Sequence, residues 1–162
     1  ALAGNLRPGE EREKQIGRIR ENLRWICEEA RAVGITILVE AINAFDNKFY
    51  PFTNTADTLA FLDSVGAANL EYLYDIYHMQ IDEGDVIRTI RDNFQYLAHF
   101  HTGGVPGRRE IDESQELYYP AIMKALVDLG HKGYVAQEFI PTPKEQEKQL
   151  AALEKAVKIC DV

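Results

Sequence analysis

Four short apolar runs recur along the chain, each preceded by a segment of helical periodicity, and this alternation limits the fold more than any other feature. The runs are ITILVE (Ile35 to Glu40), LEYLYD (Leu70 to Asp75), AHFH (Ala98 to His101) and GYVAQEF, whose strand lies near 134–139. ITILVE is β-branched and apolar on both faces, as a parallel strand covered on both sides must be. Ahead of it, residues 9–33 carry Ile16, Ile19, Leu23, Ile26, Ala30 and Val33 at steps of three and four, which predicts an amphipathic helix ending at Gly34. TNTADTLAFLDSVG reads as a capped helix closed by Gly66. DVIRTIRDNFQYL and YYPAIMKALVDLG are helical in turn, and TPKEQEKQLAALEKAVKIC is a last helix with Pro143 in its first turn. The order αβαβαβαβα predicts a parallel sheet with right-handed crossovers, either doubly wound or closed into a barrel. No linker or low-complexity tract divides it, so one domain over 1–162 is expected.

Composition narrows the function classes. With 162 residues and 46% hydrophobic content the chain can bury one sizeable core. Its net charge of -8 argues against nucleic acid as a partner, because phosphate backbones are gripped by clustered Lys and Arg. Cys27 and Cys160 lack the spacing of a thiolate metal site, and Cys27 continues the apolar face of a helix. No apolar run approaches the roughly 18 to 20 residues that span a bilayer, so no membrane partner is expected and a cytoplasmic setting is the expectation. The opening ALAGNLRPGEER has neither an initiator Met nor the pattern of a signal peptide, and reads like the middle of a longer sequence.

Two observations favour the barrel. No strand is followed by G-x-G-x-x-G, which removes support for a dinucleotide-binding sheet. The strands also end, at their C-terminal tips, in Glu40, Asp75, His101 and Glu138, separated by 35, 26 and 37 residues. Each interval is close to one βα unit of a (β/α)8 barrel, about 31 residues if ~250 make eight units. In a barrel these tips converge. Three carboxylates crowded together resist ionising unless a cation joins them, and three carboxylates with one imidazole suit Mn2+ or Mg2+, with Co2+ and Zn2+ as further candidates. For any one tip the plain alternative is a strand end meeting solvent.

ILVEAIN, YDIYHMQ, HFHTGGVPGRREID and VAQEFIP together resemble the sugar isomerase/epimerase superfamily of xylose isomerase-like TIM barrels, in its hydroxypyruvate isomerase branch. The likeness runs from about residue 5 to the end of the chain. It implies a (β/α)8 TIM barrel of which this chain supplies the last four βα units and a preceding helix. By the same resemblance Glu40, Asp75, His101 and Glu138 match the metal ligands, and Glu40 and Glu138 are also the residues that exchange the substrate proton. His78 matches a histidine that contacts substrate oxygens. Arg108 falls where a substrate-binding arginine stands, with Glu110 beside it in the same loop. Asn43, Lys48 and Tyr50 lie in the loop after Glu40, where pocket lining and an ordinary surface role both fit.

The implied chemistry is an aldose-ketose type isomerisation. Moving a carbonyl between neighbouring carbons removes a proton from carbon and develops an enediolate, which a divalent metal stabilises while carboxylates carry the proton. Hydroxypyruvate is the first candidate substrate. A keto-sugar 3-epimerase and an inosose-type dehydratase are the alternatives, ahead of a zinc-dependent DNA-repair endonuclease or a non-catalytic relative. A small hydroxy-carbonyl or sugar is thus the expected partner. A half-barrel exposes two sheet edges, so a shortened chain or a homo-oligomer that completes the barrel is expected as well.

Overall fold

The computed structural model describes residues 1–162. Its centre is a four-stranded parallel sheet in the order β1-β2-β3-β4, formed by β1 (Ile37–Glu40), β2 (Leu70–Asp75), β3 (Leu97–Thr102) and β4 (Val135–Gln137). Strands that follow one another in sequence and lie side by side in parallel need a crossover between each pair. Helices supply these: α1 (Arg12–Ala32) leads into β1, and α2 (Thr55–Val65), α4 (Val86–Asn93) and α5 (Tyr119–Asp128) join the strands. α6 (Gln146–Cys160) closes the chain. This is the α/β sheet of a partial barrel, with β1 and β4 as its outer strands.

The core lies between the sheet and the helices. Val39, Tyr72, Tyr74 and Phe100 point from the strands to that side and are at most 2% exposed, packed with Phe61, Ile90, Ile122 and Met123. The opposite face carries Glu40, Asp75 and His101. Alternation along a strand puts successive residues on opposite faces, so the apolar neighbours of these polar residues make the core. β3 holds one extra residue: Tyr72 lies opposite Leu97, but Leu73 lies opposite His99, leaving Ala98 unmatched.

Local chemistry sets most element ends. The Asn54 side chain accepts from the Asp57 N–H and starts α2, and Gly66, at φ 72, stops it in the left-handed region. Ile35 is not in β1, because its N–H still bonds Ala30 O at the end of α1. The segment DVIRTIRDNFQYL is shorter as a helix than its periodicity suggests, since Phe94–Tyr96 tightens into a 3-10 turn and Leu97 joins β3. One helix has no counterpart in the sequence reading: α3 (Ile76–Asp82) begins directly where β2 ends. Pro143 is not in the first turn of α6, which begins at Gln146; Thr142 N and Oγ1 both donate to Glu110, which holds that stretch as a loop. Residues 1–6 run beside β1, with the terminal amine on Leu38 O and Leu6 N donating to Phe49 O. No helix is long and apolar enough to cross a membrane.

Candidate metal centre

Each strand delivers one polar side chain to the C-terminal edge of the sheet. Glu40 and Asp75 are the last residues of β1 and β2, His101 is the penultimate residue of β3, and Glu138 follows β4 directly. The register is staggered: Glu40 lies level with Leu73, while Asp75, His101 and Ala136 share the next inward-facing level. Glu138 extends the ladder by donating its N–H to Thr102 O. One ligand atom from each of Glu40, Asp75, His101 and Glu138 lies within 4.8 Å of every other. The four candidate ligands thus form one cluster. His99 shares the face of His101, its ring centroid 5.0 Å away, but stands outside the cluster.

The electrostatics of this cluster call for a cation. Glu40 is 9% exposed and Asp75 1%. Burial, and then the charges of Asp75 and Glu138, push the Glu40 carboxyl up to about 8, against a smaller opposing effect of Arg108. His101 Nδ1 is buried and makes no hydrogen bond, although Glu138 Oε2 is 2.5 Å away and the Glu40 and Asp75 oxygens lie at 3.9 and 4.0 Å. A lone imidazole nitrogen among three carboxylates, without a hydrogen bond of its own, is a donor set that fits a hard divalent ion. The residues present therefore suit the metal that the sequence pattern implies.

Asp75 serves two elements. Its Oδ1 accepts from Tyr77 N at 2.8 Å and His78 N at 3.4 Å, starting α3, while Oδ2 faces the cluster. That turn carries His78 back toward the site. The His78 ring is 2% exposed, with Nε2 3.7 Å from Asp75 Oδ2 and 4.0 Å from Glu40 Oε1. Burial lowers its pKa, against the opposing charge of Asp75.

Arg108 is also brought in. Its Nη2 donates to Asp75 Oδ2 at 3.0 Å and to Glu138 Oε2 at 2.5 Å, and the guanidinium lies 5.4 Å from the centre of the Tyr77 ring. A tight hairpin aims it. Gly104 and Arg109 exchange backbone hydrogen bonds, and Arg108 itself sits at φ 58. Ile140 N donates to Arg108 O, tying the hairpin to the loop after β4.

Glu110 is not brought into the cluster. Its two carboxylate oxygens accept from Thr142 N and Oγ1, so it fastens the Arg108 hairpin to the neighbouring loop. Lys48 is exposed, whereas Tyr50 is buried and donates to Glu40 O at 3.0 Å, bracing the strand end from below. Asn43 is fully buried against His78. Asp46 and Tyr77 complete that contact, with Tyr77 OH on Asp46 Oδ2 at 2.7 Å. Nothing in the spacing of AINAFD marks Asp46; Tyr77 is visible only as one of the two residues between Asp75 and His78.

A parallel α/β half-barrel whose strand tips gather three carboxylates and an imidazole is a barrel with a candidate metal site at its C-terminal edge. The comparisons place it more closely. The sequence matches the xylose isomerase-like TIM barrel family over residues 1–157, and the chain belongs to that family. It is 38% identical over 121 residues to 2-oxo-tetronate isomerase of Cupriavidus necator, covering 75% of this chain and 46% of that protein. It is 31% identical over 140 residues to hydroxypyruvate isomerase of Escherichia coli, covering 86% and 54%. A crystal structure described as AP endonuclease, family 2, from Brucella melitensis superposes with a TM-score of 0.83 at 30% identity, over 91% of this chain and 57% of that one. The chain spans about half the length of the relatives it matches.

Proposed function

We propose that the full protein is a metal-dependent isomerase that shifts a carbonyl between neighbouring carbons of a small hydroxy-carbonyl acid, with hydroxypyruvate or a 2-oxo-tetronate as substrate. The observation that carries this reading is the convergence of Glu40, Asp75, His101 and Glu138 within 4.8 Å. These four would hold Mn2+ or Mg2+, and the bound ion would supply Lewis acidity to the substrate oxygens. The protein's own groups do the rest. Glu40 and Glu138 come from the two outer strands, so two carboxylates reach a bound molecule from separated positions, one to take a carbon-bound proton and one to return it. Arg108, whose guanidinium stands at the edge of the cluster beside Asp75 and Glu138, would turn donors from them to the acid end of the substrate. His78 orients an oxygen.

The relatives' names support this reading, being isomerases of 2-oxo acids. Phosphodiester chemistry on DNA fits less well. In the loop after His101, Asp112 is tied up by the N–H and Oγ of Ser114, and Lys155 holds Glu113, so these acids serve a turn and an ion pair. The net charge of -8 also opposes a polyanion.

The test is a substrate panel on full-length protein, stripped with EDTA and reloaded with Mn2+ or Mg2+. Hydroxypyruvate, a 2-oxo-tetronate and several ketoses are incubated in D2O, and deuterium uptake at carbon is read by NMR. Metal-dependent uptake into an acid of the panel is expected. Uptake only into ketoses transfers the site to an epimerase, and none into any compound ends the isomerase reading.

A further inference from the structure

The nitrogen of His78 that faces the cluster can present either a proton or a lone pair, and the residues behind the ring decide which. Nδ1 points away from the cluster, toward the loop after β1. There the Asn43 side-chain Nδ2 lies 2.6 Å from Nδ1, and the Asn43 backbone N–H donates to the same nitrogen at 3.3 Å. The orientation of the Asn43 amide is fixed independently. Its Oδ1 accepts from the Asp46 backbone N–H at 2.8 Å, a group that can only donate, so the other end of the amide must be NH2. The two hydrogens of that NH2 are then both used, one on His78 Nδ1 and one on Asp46 Oδ2 at 3.0 Å. Tyr77 OH donates to the same Asp46 oxygen, which keeps Asp46 an acceptor. Every member of the chain Tyr77, Asp46, Asn43, His78 has one consistent role.

We propose that Asn43 is a positioning residue that fixes His78 as the Nε2–H tautomer, so that a hydrogen-bond donor faces the Glu40 and Asp75 side of the site. The donor lies 4.0 and 3.7 Å from those two carboxylates, too far to be consumed by either. It is therefore available to a substrate oxygen. This specifies the ligand's chemistry there: an acceptor such as a carbonyl or a developing alkoxide, in place of an amine or any group that must donate. The catalytic consequence rests on the isomerase reading; the tautomer does not.

Two-bond 1H–15N spectra of imidazole rings separate the two tautomers directly. They are recorded on the metal-free full-length protein at neutral pH, with His78 assigned by its loss in His78→Gln. The native protein is expected to show a single Nε2–H form. Asn43→Asp replaces the donor with an acceptor and is expected to reverse the ring to Nδ1–H; Asn43→Ala, which only deletes the amide, is expected to give a mixture. A native Nδ1–H ring overturns the proposal without any variant. An unchanged tautomer in folded Asn43→Ala or Asn43→Asp also overturns it, because the backbone N–H would then suffice. Where the panel finds turnover, Asn43→Asp is expected to lower kcat by about 10²-fold with KM changed far less. A panel without turnover removes the isomerase reading and leaves the spectra to decide the tautomer.

Discussion

Replacing Gly104 by alanine places a methyl group 2.4 Å from Glu110 O and 2.9 Å from Arg109 O, both backbone atoms. Carbon and carbonyl oxygen settle at about 3.3 Å, so the two limbs of the Arg108 hairpin must separate by about 1 Å. That movement breaks the bonds from Gly104 N to Arg109 O, at 2.9 Å, and from Arg109 N to Gly104 O, at 3.1 Å. Two backbone hydrogen bonds at about 1 kcal/mol each, with about 1 kcal/mol or more of steric strain, give roughly 2–4 kcal/mol. In a full-length barrel this lowers Tm by about 5–12 °C. The displacement also carries Arg108 away from Asp75 and Glu138, and a shift of that size at a substrate clamp costs about 10²-fold in kcat/KM. The four candidate ligands stand on the strand tips, outside the hairpin, so affinity for Mn2+ should not fall. Differential scanning calorimetry, Mn2+ titration followed by electron paramagnetic resonance, and the substrate panel measure the three quantities. An alanine variant that melts with the native protein and turns over at the native rate would refute the hairpin's role. Loss of Mn2+ binding in a folded variant would show that the cluster depends on the hairpin.

The remaining predictions test other parts of the site and the fold. In EDTA, the Glu40 carboxyl of the folded protein, pushed up to about 8, holds a proton that the unfolded chain has released above about 4.5. The folded state binds more protons across that window, so stability should fall as pH rises from about 4.5 to 8; urea midpoints read this slope, and Glu40→Gln should flatten it. Asp75→Asn keeps Oδ1 for the Tyr77 and His78 N–H groups but turns an NH2 toward Arg108 in place of the acceptor Oδ2, so it should cost about 1–3 kcal/mol in stability while weakening Mn2+ binding at least about tenfold. Phe100 is fully buried with its ring 6.1 Å from that of Tyr74, and Phe100→Ala should cost about 3–5 kcal/mol in urea unfolding.

The strands and the residues at their tips were legible because both depend on local pattern: an apolar run of β-branched and aromatic residues, then one acid or imidazole. α3 was not legible. IYHMQID follows β2 with no glycine or proline to mark a boundary, and Asp75, which starts the helix, is also the last residue of the strand and a candidate ligand. α6 starts later than its sequence predicts for a tertiary reason, since Glu110, more than thirty residues earlier, takes the hydrogen bonds of Thr142. The same contact shows what Glu110 holds, the loop after β4, while it stands outside the cluster of four candidate ligands. Asn43 shows a further limit. Its residue type and loop position suit pocket and surface equally, and only the depth of the AIN turn against His78 decides between them.

The unmatched Ala98 has a consequence for how this stretch tolerates change. Upstream of it, Leu97 shares the core side with Tyr72; downstream, His99 and His101 share the inner side with Leu73 and Asp75. The extra residue is taken up in a bulge and stands outside the alternation of β3. Removing Ala98 would leave Leu97 and His99 as ordinary alternating neighbours, so Phe100 would stay on the core side and His101 at the site. In a comparison of homologous sequences, a gap at this position should therefore leave the aromatic and the imidazole after it in place.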